Sequence, residues 1–330
     1  MDISATRSDD RPDLDLDRVR ADLEAALEAA REVTDGEPSE YLTEIENPPV
    51  DGLAAAVCTA AGDVVCRGDD EQRFALQSVS KALAFAVALE EVGLERIEEH
   101  VGIEPSGEAF NHLSLHDDGR PFNPMINAGA IMVHALLPGD GPEDRAARLL
   151  DRFSRMAAAE LSLKEDVLEA ERDLADRNLG LAHLLADAGT LPTLPAEAVE
   201  GYLRQCAVGV TVRELAIMGA TLAAGGVNPL TDERVLGEDV ARLTMTVMLT
   251  CGMYDASGQW AAEVGIPAKS GVSGAVLGAV PGALGIATWS PRLDDRGTST
   301  RGIAVFERLS DDWDLHVLRH RDALAGLRVD

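Results

Sequence analysis

The sequence predicts an α+β protein: one antiparallel sheet drawn from both ends of the chain and flanked by terminal helices, plus an all-helical lobe. Short apolar, β-compatible runs occur before Arg67 and again after Pro267, while the stretch between reads as a succession of helical patterns. The early runs make only one hairpin, and the economical partner for it is the late set of strands. Apolar residues are 46% of the 330, enough to bury a sizeable core. The expected organisation is a tail at 1–12 and a single domain at 13–330. Its sheet lobe comes from 13–75 and 260–330 and its helical lobe from 76–259.

From Leu14 to Val33 apolar residues recur at helical spacing, with Gly36-Glu37-Pro38 as the stop. Leu53–Thr59 and Asp63–Arg67 flank the turn Ala60-Ala61-Gly62 as a hairpin. Leu76–Leu94 is Ala- and Leu-rich and helical, with Ser78 and Ser80 in its first turn. Val101–Gly129 reads as loop. Helical patterns follow at Ala130–Leu137, Asp144–Leu161, Leu163–Gly189, Ala196–Ala207, Thr211–Ala224 and Glu238–Thr250. Val272–Ala279, Gly285–Trp289 and Gly302–Phe306 are expected strands, and Trp313–Leu327 a final helix.

The net charge of -29 repels phosphate backbones and anionic lipid heads, which argues against nucleic-acid and membrane partners. No apolar run reaches the ~18 residues of a membrane span, and Met1–Arg20 lacks the apolar stretch of an export signal. Cys58, Cys66, Cys206 and Cys251 have no metal-type spacing and are expected as reduced thiols in a cytoplasmic protein. The seven histidines, His112 and His116 among them, show no ligand spacing, so no metal or organic cofactor is expected.

Lysine occurs only at positions 81, 164 and 269. Two of these three lie in motifs with chemical content. Ser78-Val79-Ser80-Lys81 is an S-x-x-K string, which on a helix puts the amine within reach of the hydroxyl. A serine needs a base to become nucleophilic, and a lysine serves if burial or a nearby positive charge lowers its pKa. The free N–H groups at the helix start can also help to bind an oxyanion. Alone the string is weak: chance supplies it in roughly one chain in seven of this composition. Lys269-Ser270-Gly271, just before a strand-like run, is the second signal, since a K-[ST]-G string borders the cleft in penicillin-recognising enzymes. Against these readings stand a solvated helix lysine at 81 and a solvated turn lysine at 269.

Longer strings sharpen the reading. They are Phe74-Ala-Leu-Gln-Ser-Val-Ser-Lys81, Pro121-Phe-Asn-Pro-Met-Ile-Asn-Ala-Gly-Ala-Ile131, Glu171 with Arg177-Asn178, Tyr202-Leu-Arg-Gln-Cys206, Cys251-Gly-Met-Tyr-Asp-Ala-Ser-Gly258 and Lys269-Ser-Gly-Val-Ser-Gly274. Through them the chain resembles the serine-dependent glutaminases, from about Val33 to Leu318. Ala170 departs from the usual Ser before the glutamate, and Arg120 from a frequent Lys. The resemblance implies a serine β-lactamase/transpeptidase-like fold and hydrolysis of L-glutamine to L-glutamate and ammonia. It implies Ser78 as nucleophile, Lys81 as base, Tyr254 as proton relay, and the backbone N–H groups of Ser78 and Val272 as the oxyanion hole. Lys269 is the expected source of positive potential in the cleft. Tyr41 is implied at the cleft mouth, Glu171 on the substrate ammonium, and Asn127, Asn178 and Tyr202 on its carboxylate. Without the resemblance, Glu171 reads as one more solvated acid and Tyr202 as a residue without a role in the site, while a helix N-cap is the alternative for Asn127 and a half-buried aromatic an equal alternative for Tyr41.

A β-lactamase or D-alanyl-peptide hydrolase shares both short motifs, but such enzymes usually carry S-D-N or Y-x-N, and no S-D-N occurs here. A catalytically inactive amino-acid-binding module is the other alternative, and it requires a lost catalytic group. A homodimer or homotetramer is implied by the resemblance. The 58 acids against 29 bases, with Arg in place of most Lys, point to a halophilic source.

Overall fold

The computed structural model describes residues 15–39, 43, 45, 47–107 and 115–319. Tyr41, His112 and the stretch 320–327 of the expected last helix lie outside them. The strands are β1 Ala54–Thr59, β2 Val64–Gly68, β3 Phe74–Ala75, β4 Ser162–Leu163, β5 Val208–Val210, β6 Ala268–Ser270, β7 Ala275–Val280 and β8 Leu284–Trp289. Five of them form one antiparallel sheet in the order β2-β1-β8-β7-β6. The joint between the two ends of the chain is β1 against β8, in register from Ala54 opposite Trp289 to Thr59 opposite Leu284.

Apart from the edge strand β2, the sheet is buried on both faces, which explains why β1, β7 and β8 read as continuous apolar runs. Along β1 the side chains alternate. Ala54, Ala56 and Cys58 join Leu277, Ala287 and Trp289 in the core shared with the helical part of the chain. Ala55 and Val57 join Val276 and Ile286 against the helices Leu16–Arg31 and Thr300–Trp313, which contribute Leu23, Leu27, Phe306 and Leu309. The inner face is closed by the helix Val212–Ala223, which starts in a capping box between Thr211 and Glu214. It lies so close that a Cβ at Gly285 of β8 would fall 2.2 Å from Ala220 N and 2.3 Å from Ala216 O.

Several expected elements differ. Gly302–Phe306 is not a strand but part of the helix Thr300–Trp313, capped by Ser299 on the Gly302 N–H at 3.1 Å. A five-residue apolar run carries too little periodicity to separate the two states. Trp313 therefore ends a helix instead of starting one. Leu163–Gly189 is broken into Glu165–Asp173 and Asp176–Asp187, and Asn127 already opens the helix Asn127–Leu136. Lys269-Ser270-Gly271 precedes the strand β7, as expected, and Lys269 is itself in a strand. It sits inside β6, the sheet edge, opposite Leu277 of β7.

Candidate active site

Chain entry to the helix Ser80–Val92 builds the site. After β3 the Leu76 N–H is tied to Val208 O at 2.8 Å, and the chain then turns through a 3-10 segment, Gln77–Val79. Gln77 takes a left-handed φ of 48° there, a costly conformation for a residue with a side chain. The helix that follows is buried from Ser80 to Leu89, as its Ala- and Leu-rich composition demands. Lys81 is thereby carried into the interior, with 1% exposure.

Lys81 Nζ lies 2.7 Å from Ser78 Oγ and 2.7 Å from Asn127 Oδ1. Burial pushes its pKa down to about 8, against the upward pull of Cys206 and Glu171. A neutral amine can keep the bond to Asn127 and present its lone pair to the serine proton. With Asn127 Oδ1 committed to Lys81, its Nδ2 faces Asn178 Oδ1 at 3.1 Å. The N-cap alternative for Asn127 is not realised: Ile126 is the cap residue, and its side chain makes no capping bond. Tyr202 is buried beside this group, with its hydroxyl 3.5 Å from Asn127 Oδ1 and its ring centre 5.8 Å from Lys81 Nζ. Burial holds the Tyr202 phenol well above its ordinary pKa, so it remains neutral.

The opposite wall comes from β6 and the 3-10 segment Tyr254–Ala256. A Cβ on Gly271 would sit 3.1 Å from Leu76 O and 3.3 Å from Val79 N, so the Lys269-Ser270-Gly271 backbone presses on the base of the Ser78 turn. Half-buried Val272 follows at once. Lys269 is fully buried. Its amine donates to Ser270 O at 2.7 Å and lies 4.1 Å from the Tyr254 ring centre. Burial, and after it the charge of Lys81, holds the Lys269 pKa well below that of an ordinary lysine. These surroundings oppose the full positive charge expected of Lys269, and the face of Tyr254 is what the amine packs against. Tyr254 has a left-handed φ of 55°, and its hydroxyl is in hydrogen-bonding reach of the Ser78 and Ser270 side chains. Burial raises its pKa, with those two bonds pulling the other way, so it stays a proton-bearing phenol.

Ser78, Lys81, Asn127, Asn178, Tyr202, Tyr254 and Lys269 are thus linked by direct contacts. Glu171 joins through a residue to which the sequence reading gave no role: Gln77 Nε2 donates to Glu171 Oε1 at 2.8 Å. Gln77 stands inside the Phe74–Lys81 string immediately before Ser78, which was the only signal available for it. Cys206, also from a quoted string, packs behind the turn with its Sγ 3.9 Å from Ser80 Oγ.

Comparison with known proteins gives one consistent answer. A family model described as Glutaminase matches residues 36–318. A glutaminase of Corynebacterium glutamicum is 47% identical over 298 residues, 90% of this chain and 72% of the relative. One of Clavibacter michiganensis is 47% identical over 304 residues, 92% and 91% of the two chains. Among solved structures, Mglu in its native form superposes with a TM-score of 0.88 at 45% identity, covering 93% of this chain and 75% of that one. Mglu has also been solved in the presence of 4.3 M NaCl, with the same TM-score and identity, covering 93% of this chain and 71% of that one. A probable glutaminase, ybaS, gives 0.90 at 37% identity, covering 93% and 100%. With its fold, its clustered site and these relatives in agreement, the chain belongs to the glutaminase family.

Proposed function

We propose that the chain hydrolyses L-glutamine to L-glutamate and ammonia by double displacement at Ser78. Neutral Lys81 takes the Ser78 proton as Oγ attacks the side-chain amide carbon. The N–H groups of Ser78 and Val272 stabilise the resulting oxyanion. Tyr254 passes a proton to the departing nitrogen, the C–N bond breaks, and ammonia leaves a γ-glutamyl ester on Ser78. Water then attacks the ester, its proton returning through the same groups, and glutamate is released. The observation that carries this reading is the 2.7 Å contact between Ser78 Oγ and a buried lysine whose pKa is pushed down to about 8. Ammonia release from L-glutamine, L-asparagine and D-glutamine tests it: activity on L-glutamine is expected, and none on that substrate would overturn it.

Substrate recognition divides between two walls. Glu171, half-buried and oriented by Gln77, suits the α-ammonium. Asn127, Asn178 and Tyr202 offer amide and hydroxyl donors to the α-carboxylate, and Tyr41 is assigned to the cleft mouth from the family resemblance. Lys269 supports the face of Tyr254. Glu171→Gln keeps the shape and removes the charge. A charge-assisted bond to a desolvated ammonium is worth roughly 1.5–3 kcal/mol, so kcat/KM for glutamine should fall tenfold or more. An unchanged kcat/KM would return Glu171 to the ranks of the solvated acids.

The acidic surface supports a protein adapted to concentrated salt in a halophilic cytoplasm, and the family resemblance implies that it works as a homodimer or homotetramer. At a net charge of -29 like charges repel across the whole surface. Salt shortens the screening length from ~10 Å at 0.1 M to ~3 Å at 1 M. Melting temperature and activity are therefore expected to rise between about 0.05 and about 3 M potassium chloride, with light scattering in the same series reporting the assembly. A flat or falling melting temperature sinks the halophile reading, and a monomer throughout sinks the oligomer.

A further inference from the structure

The peptide joining Gln77 to Ser78 is gripped from behind by buried side chains that take no part in the reaction above. The Gln77 carbonyl accepts the Ser80 hydroxyl at 2.7 Å, in addition to the Ser80 N–H. Ser80 Oγ accepts from Gln205 Nε2 at 3.3 Å, and Gln205 Oε1 faces His134 Nδ1 at 3.1 Å. None of these three side chains is more than 1% exposed. The first link fixes the direction of the rest. A carbonyl oxygen only accepts, so the single hydroxyl hydrogen of Ser80 is committed to Gln77. The Ser80 oxygen must then accept, which turns the Gln205 amide nitrogen toward it and the amide oxygen toward His134. The His134 proton is thereby placed on Nδ1. Burial pushes His134 down to about 4 and keeps the ring neutral.

A trans peptide points its carbonyl oxygen and the following N–H in opposite directions. Drawing the Gln77 carbonyl back to Ser80 therefore aims the Ser78 N–H away from that buried network, toward the open side of the turn. The locked peptide follows a residue in a costly conformation: Gln77 holds a left-handed φ of 48°. We propose that Ser80, Gln205 and His134 are positioning residues that lock the Gln77–Ser78 peptide with its N–H presented to the oxyanion. The proposal rests on the reading in which that N–H stabilises the tetrahedral intermediate at Ser78.

An N–H that acts on the oxyanion lowers the barrier without tightening ground-state binding, so its misalignment appears in kcat. The test measures kcat, KM for glutamine and the melting temperature of Ser80→Ala, Ser80→Thr and Gln205→Met, with Ser78→Ala alongside. Ser80→Ala is expected to lose kcat by tenfold or more at a KM within about threefold of the parent, assayed well below its melting temperature. Ser80→Thr, which keeps the hydroxyl, should recover most of that loss. Gln205→Met, which keeps the length but not the donor, should fall between the two. A kcat within about threefold of the parent for Ser80→Ala, or a loss carried by KM alone, overturns the proposal. If Ser80→Ala does not fold, Gln205→Met decides: a drop of threefold or more in kcat at unchanged KM supports the lock, and an unchanged kcat overturns it. Near-normal turnover in Ser78→Ala would instead defeat the underlying mechanism. An inactive Ser78→Ala beside an unimpaired Ser80→Ala defeats the lock alone.

Discussion

Ser78→Ala is expected to lower kcat by roughly 10⁴-fold or more while glutamine still binds. The size follows from the arrangement. Ser78 Oγ is the atom that Lys81 Nζ approaches at 2.7 Å, and it lies within reach of the Tyr254 hydroxyl. Removing it leaves those groups with no nucleophile to act on. Glu171, Asn127, Asn178 and Tyr202 are untouched by the change, so calorimetry should find glutamine affinity within a few-fold of the parent. Turnover within tenfold of the parent would exclude Ser78 as nucleophile.

Lys81 variants should be nearly as damaging, because in the proposed mechanism base and nucleophile act as a unit and their losses do not add. Lys81→Ala removes the base. Lys81→Arg keeps a cation that does not give up its proton near neutral pH, so it should also be inactive. The parent enzyme carries a matching signature. Lys81 must be neutral to accept the serine proton, and burial brings its pKa down to about 8. Below that pH the neutral fraction falls tenfold per unit, so kcat/KM should climb with pH and level off above about 8. Parental kcat at neutral pH in Lys81→Ala, or a flat profile through that region, would require another base.

What the sequence made legible was mostly local. The Ser78–Lys81 contact spans three positions across the junction of the 3-10 turn Gln77–Val79 and the helix Ser80–Val92, a spacing that already suggests hydroxyl and amine meet. The joint between early and late strands followed from the need to cover a lone hairpin, and the β1–β8 register realises it. The Gly302–Phe306 run was misread because its burial comes from one face of a longer helix, a periodicity that appears only across Thr300–Trp313. The site's supporting contacts are long-range. Gln77 meets Glu171 across 94 positions and Gln205 meets Ser80 across 125, separations that carry no spacing signal. Nothing in the composition marks Gln77 as left-handed, since no glycine stands there. The environment of Lys269 was equally hidden. Its motif suggested a cleft cation, whereas a place inside an edge strand, under Tyr254 and near Lys81, works against that charge.

The central claim, that Ser78 Oγ makes the covalent bond to the substrate's side-chain carbon, is tested most directly by an affinity label. A glutamine analogue bearing a diazoketone in place of the side-chain amide puts its ketone carbon where the scissile carbon would sit and its diazo carbon beside it; once the diazo carbon is protonated, attack by Oγ expels N2 and leaves a stable ether. After incubation, peptide mass mapping locates the adduct. The account predicts one adduct per chain, on Ser78, formed in step with loss of activity and absent from Ser78→Ala. Stoichiometric labelling of any other residue, Cys206 or Tyr254 included, with Ser78 unmodified and activity lost, would contradict it.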